Sequence, residues 1–260
     1  MNKGSKRLTL MKSPLRYPGG KTRAVKILTE RLPKDTKTLL SPFIGGGSFE
    51  LSTGIDVKAN DLFVPLYTFW SVLQSNPEEL ERRVRALMPV EKETFKQLRS
   101  TIREISDPVD VAAAYYVINR CSFSGSTFCG GFSQEASTGR LNESSLKTLR
   151  SLNLGRFEIS NMDCCDFLDA HPESPGTFVY ADPPYYISTY IYGKDGDMHE
   201  SFDHAKFASV IKKRKDWLLS YNDCEYIRDL YKDCVIESVS WSYGMNAKKA
   251  SSEVLIRCHA

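Results

Sequence analysis

Residues 38–44 run Thr-Leu-Leu-Ser-Pro-Phe-Ile, a short apolar stretch of strand type that stops at Gly45, Gly46 and Gly47. A short helical segment from Ser48 and a second strand over residues 56–59, ending at Asn60-Asp61, are expected next. Residues 63–120 then read as consecutive helices. Pro77-Glu78-Glu79 opens one, the spacing of Phe95, Leu98, Ile102 and Ile105 marks another, and Asp107-Pro108 starts a third. Residues 121–140 are rich in Ser, Gly, Thr and Phe without a sustained period, which predicts a long loop of the kind that tends to carry function. Alternation then resumes. Strands are expected over 156–159, 176–181 and 217–221, with a helix capped by Asp203 through 213 and another capped by Asn222-Asp223 to 232. Two closing strands, 235–241 and 253–258, flank a loop carrying Lys248 and Lys249. The pattern predicts a mostly parallel α/β sheet with an antiparallel hairpin at its edge. The helical block 63–150 interrupts that rhythm and reads as an insert between the two parts of the α/β body, 1–62 and 151–260.

Composition narrows the class. With 260 residues, 41% hydrophobic and 26% charged, the chain can bury a sizeable core unaided. Its longest apolar stretch is too short to cross a bilayer, so no membrane role is expected. Seven cysteines without CxxC spacing and four histidines favour neither a disulfide framework nor a metal site, and a reducing cytoplasm is the expected location. The net charge of +3 names no partner, but its distribution is uneven. Eight bases and no acid lie in residues 1–26, whereas residues 155–205 hold ten acids against two bases. A basic flank beside an acidic middle suits a polyanion-binding surface around a carboxylate-bearing site, although basic termini are also often merely solvated.

Three short motifs bear on chemistry. Gly19-Gly20-Lys21-Thr22 lacks the earlier glycine of a phosphate loop, since Leu15 stands there. Gly45-Gly46-Gly47 follows a strand, but Glu50 replaces the third glycine of a dinucleotide fingerprint. What remains is a strand, a glycine turn and a helix start, with Asp61 closing the next strand where an acid can accept ribose hydroxyls; this describes a nucleoside-cofactor site. Asp182-Pro183-Pro184-Tyr185 is the sharpest feature. It follows a buried-type strand at the carboxyl edge of the sheet. Asp182 and the Pro183 carbonyl can each accept one N–H of an amino group on a planar ring, and Tyr185 can stack on that ring. A Pro-rich turn without further role is the plain alternative.

These pieces occur together in one known order. Residues 14–21 (Pro-Leu-Arg-Tyr-Pro-Gly-Gly-Lys), the Phe43-Ile44-Gly45-Gly46-Gly47 turn, Asp61 and the Asp182–Tyr185 tetrad resemble the Dam-type (D12 class) DNA adenine N6-methyltransferases along essentially the whole chain. The helical block and the Asn119-Arg120…Phe123-Ser124-Gly125 segment look like that family's target-recognition region. The resemblance implies a Rossmann-like methyltransferase sheet binding S-adenosylmethionine, with a helical target-recognition insert over 63–150. Tyr17, Pro18 and Lys21 would lie near the methionine moiety, Phe43, Gly45 and Gly47 beneath the cofactor, and Asp61 on its ribose. Asp163 or Cys164 would sit beside the adenine, core packing being the alternative for the cysteine. It further implies double-stranded DNA as partner, direct methyl transfer to a flipped-out adenine through Asp182, Pro183, Pro184 and Tyr185, and no metal. No obligatory protein partner is evident. Cytosine N4 or RNA adenine as substrate, and a non-catalytic nucleic-acid-binding protein of this fold, are the competing classes.

On the DNA side, Arg120, Arg140, Lys248 and Lys249 are expected on phosphates. Members resembling the GATC-methylating type carry an arginine in the recognition loop where this chain has Phe128. Phe123 and Phe128 then either touch bases or anchor the loop on the core, while Ser124 and Ser126 are placed to bond base edges. A recognition context other than strict GATC is expected.

Overall fold

The computed structural model describes residues 11–17, 20–186, 202–242 and 250–258. Seven strands form one sheet in the order β3-β2-β1-β4-β5-β7-β6. They are β1 (Thr38–Ser41), β2 (Asp56–Asn60), β3 (Phe157–Ser160), β4 (Thr177–Ala181), β5 (Trp217–Asn222), β6 (Val235–Ser242) and β7 (Ala250–Arg257). The first five run parallel, and β7 inserts antiparallel between β5 and β6. Thus the two closing strands do pair as a hairpin, but β7 rather than β6 joins the parallel body.

Alternation along the strands divides the core into two layers, because successive side chains leave opposite faces of a pleated strand. Leu39, Phe178, Tyr180, Leu218 and Leu255 face one layer, while Leu40, Val179, Ala181, Leu219, Val254 and Ile256 face the other. On the first face lie α1 (Val25–Arg31), α2 (Glu50–Thr53) and the chain between β2 and β3: α3 (Val64–Ser75), α4 (Pro77–Ala86), α5 (Lys92–Thr101), α6 (Pro108–Cys121), α7 (Gln134–Gly139) and α8 (Glu143–Ser151). The second face is covered by α9 (Cys164–Ala170), α10 (His204–Ile211) and α11 (Glu225–Leu230).

The helical block is an interruption in sequence but not in packing. Leu66, Phe69, Tyr115 and Leu146 belong to the same buried cluster as Leu39 and Val57 of the sheet. Its central element, α6, starts where Asp107 accepts the backbone N–H groups of Val109 and Asp110, with Pro108 in the first turn, the arrangement that satisfies orphan donors at a helix start. Ten of its fourteen residues are buried, so it is surrounded rather than amphipathic.

Three expectations need correction. The long loop over 121–140 contains a 3-10 turn, Phe123–Gly125, and α7, which Ser133 caps by accepting from Ala136 N. Helix α11 begins after Cys224, without the side-chain cap expected from Asn222-Asp223; Asn222 instead clamps the chain after the tetrad. Helix α1 was not expected, nor were the bounds of α8 within the helical block, nor α9. Helix α8 is fixed by a reciprocal cap, Asn142 accepting from Ser145 N while Ser145 Oγ accepts from Asn142 N.

Candidate active site

Chain order reverses between β1 and β4: from β1 the chain moves outward to β2 and β3, then crosses back to β4 on the other side. Ligands of open α/β sheets bind at such a switch point, beyond the carboxyl ends of the strands. The glycine turn follows β1 there and the Asp182 tetrad follows β4. Both reach one cavity of about 500 Å³.

The glycine turn is shaped by its protein neighbours. Gly45 and Gly47 hold positive φ, and a Cβ at Gly46 would lie 2.7 Å from Tyr17 Cβ, so the Tyr17 side chain packs directly on the turn. Trp70 Nε1 donates to the Gly45 carbonyl at 3.0 Å. Asp61 accepts Gly45 N on one oxygen and Phe63 N on the other, at 3.1 and 3.0 Å. Burial pushes its carboxyl up to about 6, against these two bonds. Phe43, Gly45, Gly47 and Asp61 all line the cavity with Tyr17 and Lys21, and Pro18 lies outside the described residues.

The second wall is a charged corner. Asp182 Oδ2 pairs with Lys21 Nζ at 2.8 Å, and Asp182 Oδ1 accepts from Ser220 Oγ at 2.8 Å. Lys21 also donates to the Tyr185 hydroxyl at 2.8 Å, sits 5.1 Å from that ring's centre, and approaches Glu253 Oε2 of β7 at 3.7 Å. Glu50, from α2, accepts from Ser41 Oγ at 2.8 Å and lines the same cavity. Lys21, Glu50 and Glu253 are all buried. Asp182 and Pro184 line the cavity; Pro183 and Tyr185 flank Pro184 without lining it, and Tyr185 packs against Lys21 and Tyr221. The backbone just beyond is fixed by Asn222, which accepts from Tyr186 N and donates to Tyr186 O.

Asp163 and Cys164 form another stretch of wall with Met162 and Lys206. Asp163 caps α9 through Cys165 N, and burial pushes the Cys164 thiol well up, so it stays protonated. Another part of the rim is the segment after α6, of which Ser126, Thr127 and Phe128 line the cavity. Buried Asn119 ties this loop to the amino-terminal segment: it accepts Arg16 N, donates to Arg16 O and donates to Thr127 Oγ1. Phe128 is 3% exposed, with ring contacts to Phe63 and Tyr115, so it anchors the loop on the core. Phe123 is 62% exposed, and Ser124 beside it has positive φ.

The cations of this side behave differently from one another. Arg120 donates to the Arg140 and Pro14 carbonyls and lies over the Tyr116 ring, whereas the Arg140 side chain makes one 3.4 Å bond to Ser122 O. Partial burial, and then the charges of Arg140 and Arg120, lower the basicity of Arg16. Lys248 and Lys249 lie outside the described residues. Sequence reasoning missed Glu50, Glu253 and Ser220. The first two had a signal: Glu50 is a lone acid between Phe49 and Leu51, and Glu253 is a lone acid opening the apolar run Val254-Leu255-Ile256.

A parallel sheet closed by an antiparallel β7, with a glycine turn after β1 and an acid-proline-aromatic turn after β4, defines a Rossmann-like methyltransferase. The model of the D12 class N6 adenine-specific DNA methyltransferases matches residues 17–245, and the chain belongs to that family. It is an enzyme that methylates the N6 amino group of adenine in DNA. It is 24% identical over 231 residues to the type II methyltransferase M.CviBI of Paramecium bursaria Chlorella virus NC1A, covering 85% of this chain and 86% of that protein. To the type II methyltransferase M1.LlaDCHI of Lactococcus lactis subsp. cremoris it is 25% identical over 269 residues, covering 91% and 90%. Among the described residues no helix is long and apolar enough to cross a membrane.

Proposed function

We propose that the cavity binds S-adenosylmethionine and that an adenine, rotated out of duplex DNA, presents its amino group to Asp182. The observation that carries this reading is that Asp61 and Asp182, from the two sides of the switch point, line one cavity. Its volume of about 500 Å³ suits a nucleoside-sized ligand. Each Asp61 oxygen accepts one backbone N–H and has a second lone pair for a ribose hydroxyl. Phe43, Leu62 and Met162 supply apolar wall, and the Asp182–Glu253 side supplies negative charge suited to a sulfonium. S-adenosylmethionine supplies an electrophilic methyl group.

The chain's part is orientation. The adenine amino nitrogen is a poor nucleophile because its lone pair is delocalised into the ring. Acceptance of one N–H by the free lone pair of Asp182, and of the other by the Pro183 carbonyl, localises that pair and aims it at the methyl. Holding two reactants in line is worth several kcal/mol, on the order of 7–11 in favourable systems. An amino group within a duplex cannot reach a cavity at a sheet edge, which requires base flipping; Tyr185 is the proposed stacking surface.

Transfer of a tritiated methyl group to duplex DNA, single-stranded DNA and RNA, followed by nucleoside analysis, tests this reading. Label in N6-methyladenine, with duplex DNA the best substrate, is expected. Label in N4-methylcytosine, or on RNA alone, would overturn it.

A further inference from the structure

We propose that Glu50 and Glu253 are positioning residues for methyl transfer: Glu253 holds Lys21, and the two acids offset its charge so that Asp182 stays an effective acceptor for the target amino group. The inference rests on the function proposed above. Asp182 already faces an ammonium at 2.8 Å and a hydroxyl at 2.8 Å. A cation so close withdraws electron density from the acceptor and repels the positive charge that transfer moves from the sulfonium onto the amino nitrogen. Lys21 alone would therefore oppose the reaction it helps to orient. Glu253 draws its ammonium towards β7 at 3.7 Å, and Glu50, held by Ser41, adds a buried carboxyl to the cavity that Lys21 and Asp182 line.

The side chains that act on Glu50 are Ser41 of β1, which donates to it, and Lys21 of the 3-10 turn Lys21–Arg23 and Asp182 after β4, which line the same cavity. Burial above all, and then the charges of Asp182, Glu50 and Glu253, push the Tyr180 phenol of β4 up. Burial pushes the Glu50 carboxyl up to about 7, helped by Asp182 and opposed by Ser41 and Lys21. Glu50 thus gains its charge near neutrality. As pH rises through that range, one more negative charge faces Lys21, and the rate of transfer rises.

Single-turnover methylation at saturating DNA and cofactor, measured between pH 6 and 8.5, reads this directly. Wild type is expected to gain about three- to tenfold in rate with a midpoint near neutrality, the size of one added charge near the reacting atoms. Glu50→Gln should abolish the rise and remain at the low-pH rate, Glu50→Asp should restore it, and Glu253→Gln should lower the rate across the range. A second readout needs no turnover. A carboxyl whose folded pKa lies above its unfolded one loses stability as pH climbs from the unfolded value to the folded one. The melting temperature of Glu50→Gln should therefore gain on wild type between about pH 4.5 and 7, the window that the two pKa values bound. A Glu50→Gln enzyme that keeps the wild-type pH profile, or Glu253→Gln with an unchanged rate, overturns the inference. Absence of any transfer by wild type counts against the proposed function instead, and the melting series then decides whether Glu50 titrates as argued.

Discussion

The two charged regions beside the cavity are built on opposite plans. In the corner around Asp182, one buried ammonium meets the carboxylates of Asp182 and Glu253 and a phenol. On the arginine side, burial and then the charges of Arg140 and Arg120 lower the basicity of Arg16, and the hydrogen bonds described for Arg120 and Arg140 go to backbone carbonyls. Carbonyl acceptors satisfy the N–H groups without cancelling the charge. The corner therefore keeps its field inside the protein, where low dielectric makes it strong, whereas the arginine side projects a field outwards, as a polyanion partner needs. One region is arranged for chemistry and the other for attraction.

The largest effect should come from breaking the corner. Asp182→Ala removes the acceptor for the amino group and leaves Lys21 without its shortest ion pair. Methyl transfer should fall by about 10³-fold or more, as for loss of a group acting at the transition state, while DNA binding in a gel-shift assay changes little. Turnover near the wild-type rate would remove Asp182 from the proposed site. Weakened DNA binding of the same size would show that the two regions are not separate.

The arginines test the other half of the comparison and should split. Arg120→Ala deletes bonds to two carbonyls and the packing over Tyr116, so it should lower stability by about 1–3 kcal/mol, read in chemical denaturation. Arg140→Ala loses only the long bond to Ser122 O and should leave stability within about 0.5 kcal/mol. Its effect should be on DNA: affinity falls alike for all sequences, and the salt slope flattens by about one phosphate contact. The reverse outcome would make Arg120 the phosphate contact expected from sequence and Arg140 the structural one.

How much of this was legible beforehand depended on sequence distance. The strands, the glycine turn and the tetrad are local patterns whose physics is complete within a few residues. Lys21 was legible as part of a motif, but its partners Asp182 and Glu253 lie at the far side of the chain and meet it only once β4 and β7 are in the sheet. Arg120 has the same history: residues 14 and 140 supply its carbonyls, so a cation at the end of a helix becomes a clamp. Within residues 121–140, α7 was hidden because its six residues include Gly, Ser and Thr, weak helix formers, and because its Ser133 cap precedes no apolar period. Even the glycines were half-read: close approach was expected from a ligand, and Tyr17 makes it first.

The smallest effect concerns what the enzyme reads. Sequence left two roles open for each loop phenylalanine, and burial now separates them. Phe128, packed on Phe63 and Tyr115, is an anchor, and its truncation should cost about 3–5 kcal/mol of stability. A phenylalanine side chain has no hydrogen-bonding atom, and this one is turned into the core, so position 128 supplies none of the guanine readout expected of an arginine there. Phe123 is exposed, with Ser124 beside it, and an apolar ring there can pack on a thymine methyl or press between bases. Phe123→Ala should leave the melting temperature almost unchanged and narrow the preference between good and poor sites by a few-fold, since a base contact carries about 1–3 kcal/mol when bidentate and less when apolar. Methylated adenines mapped on plasmid DNA from an expressing, methylation-deficient host would show both results at once. Wild-type modification confined to GATC would refute the reading of Phe128. An unchanged site distribution in Phe123→Ala would return that ring to the protein surface as a bystander, with base readout left to Ser124 and Ser126.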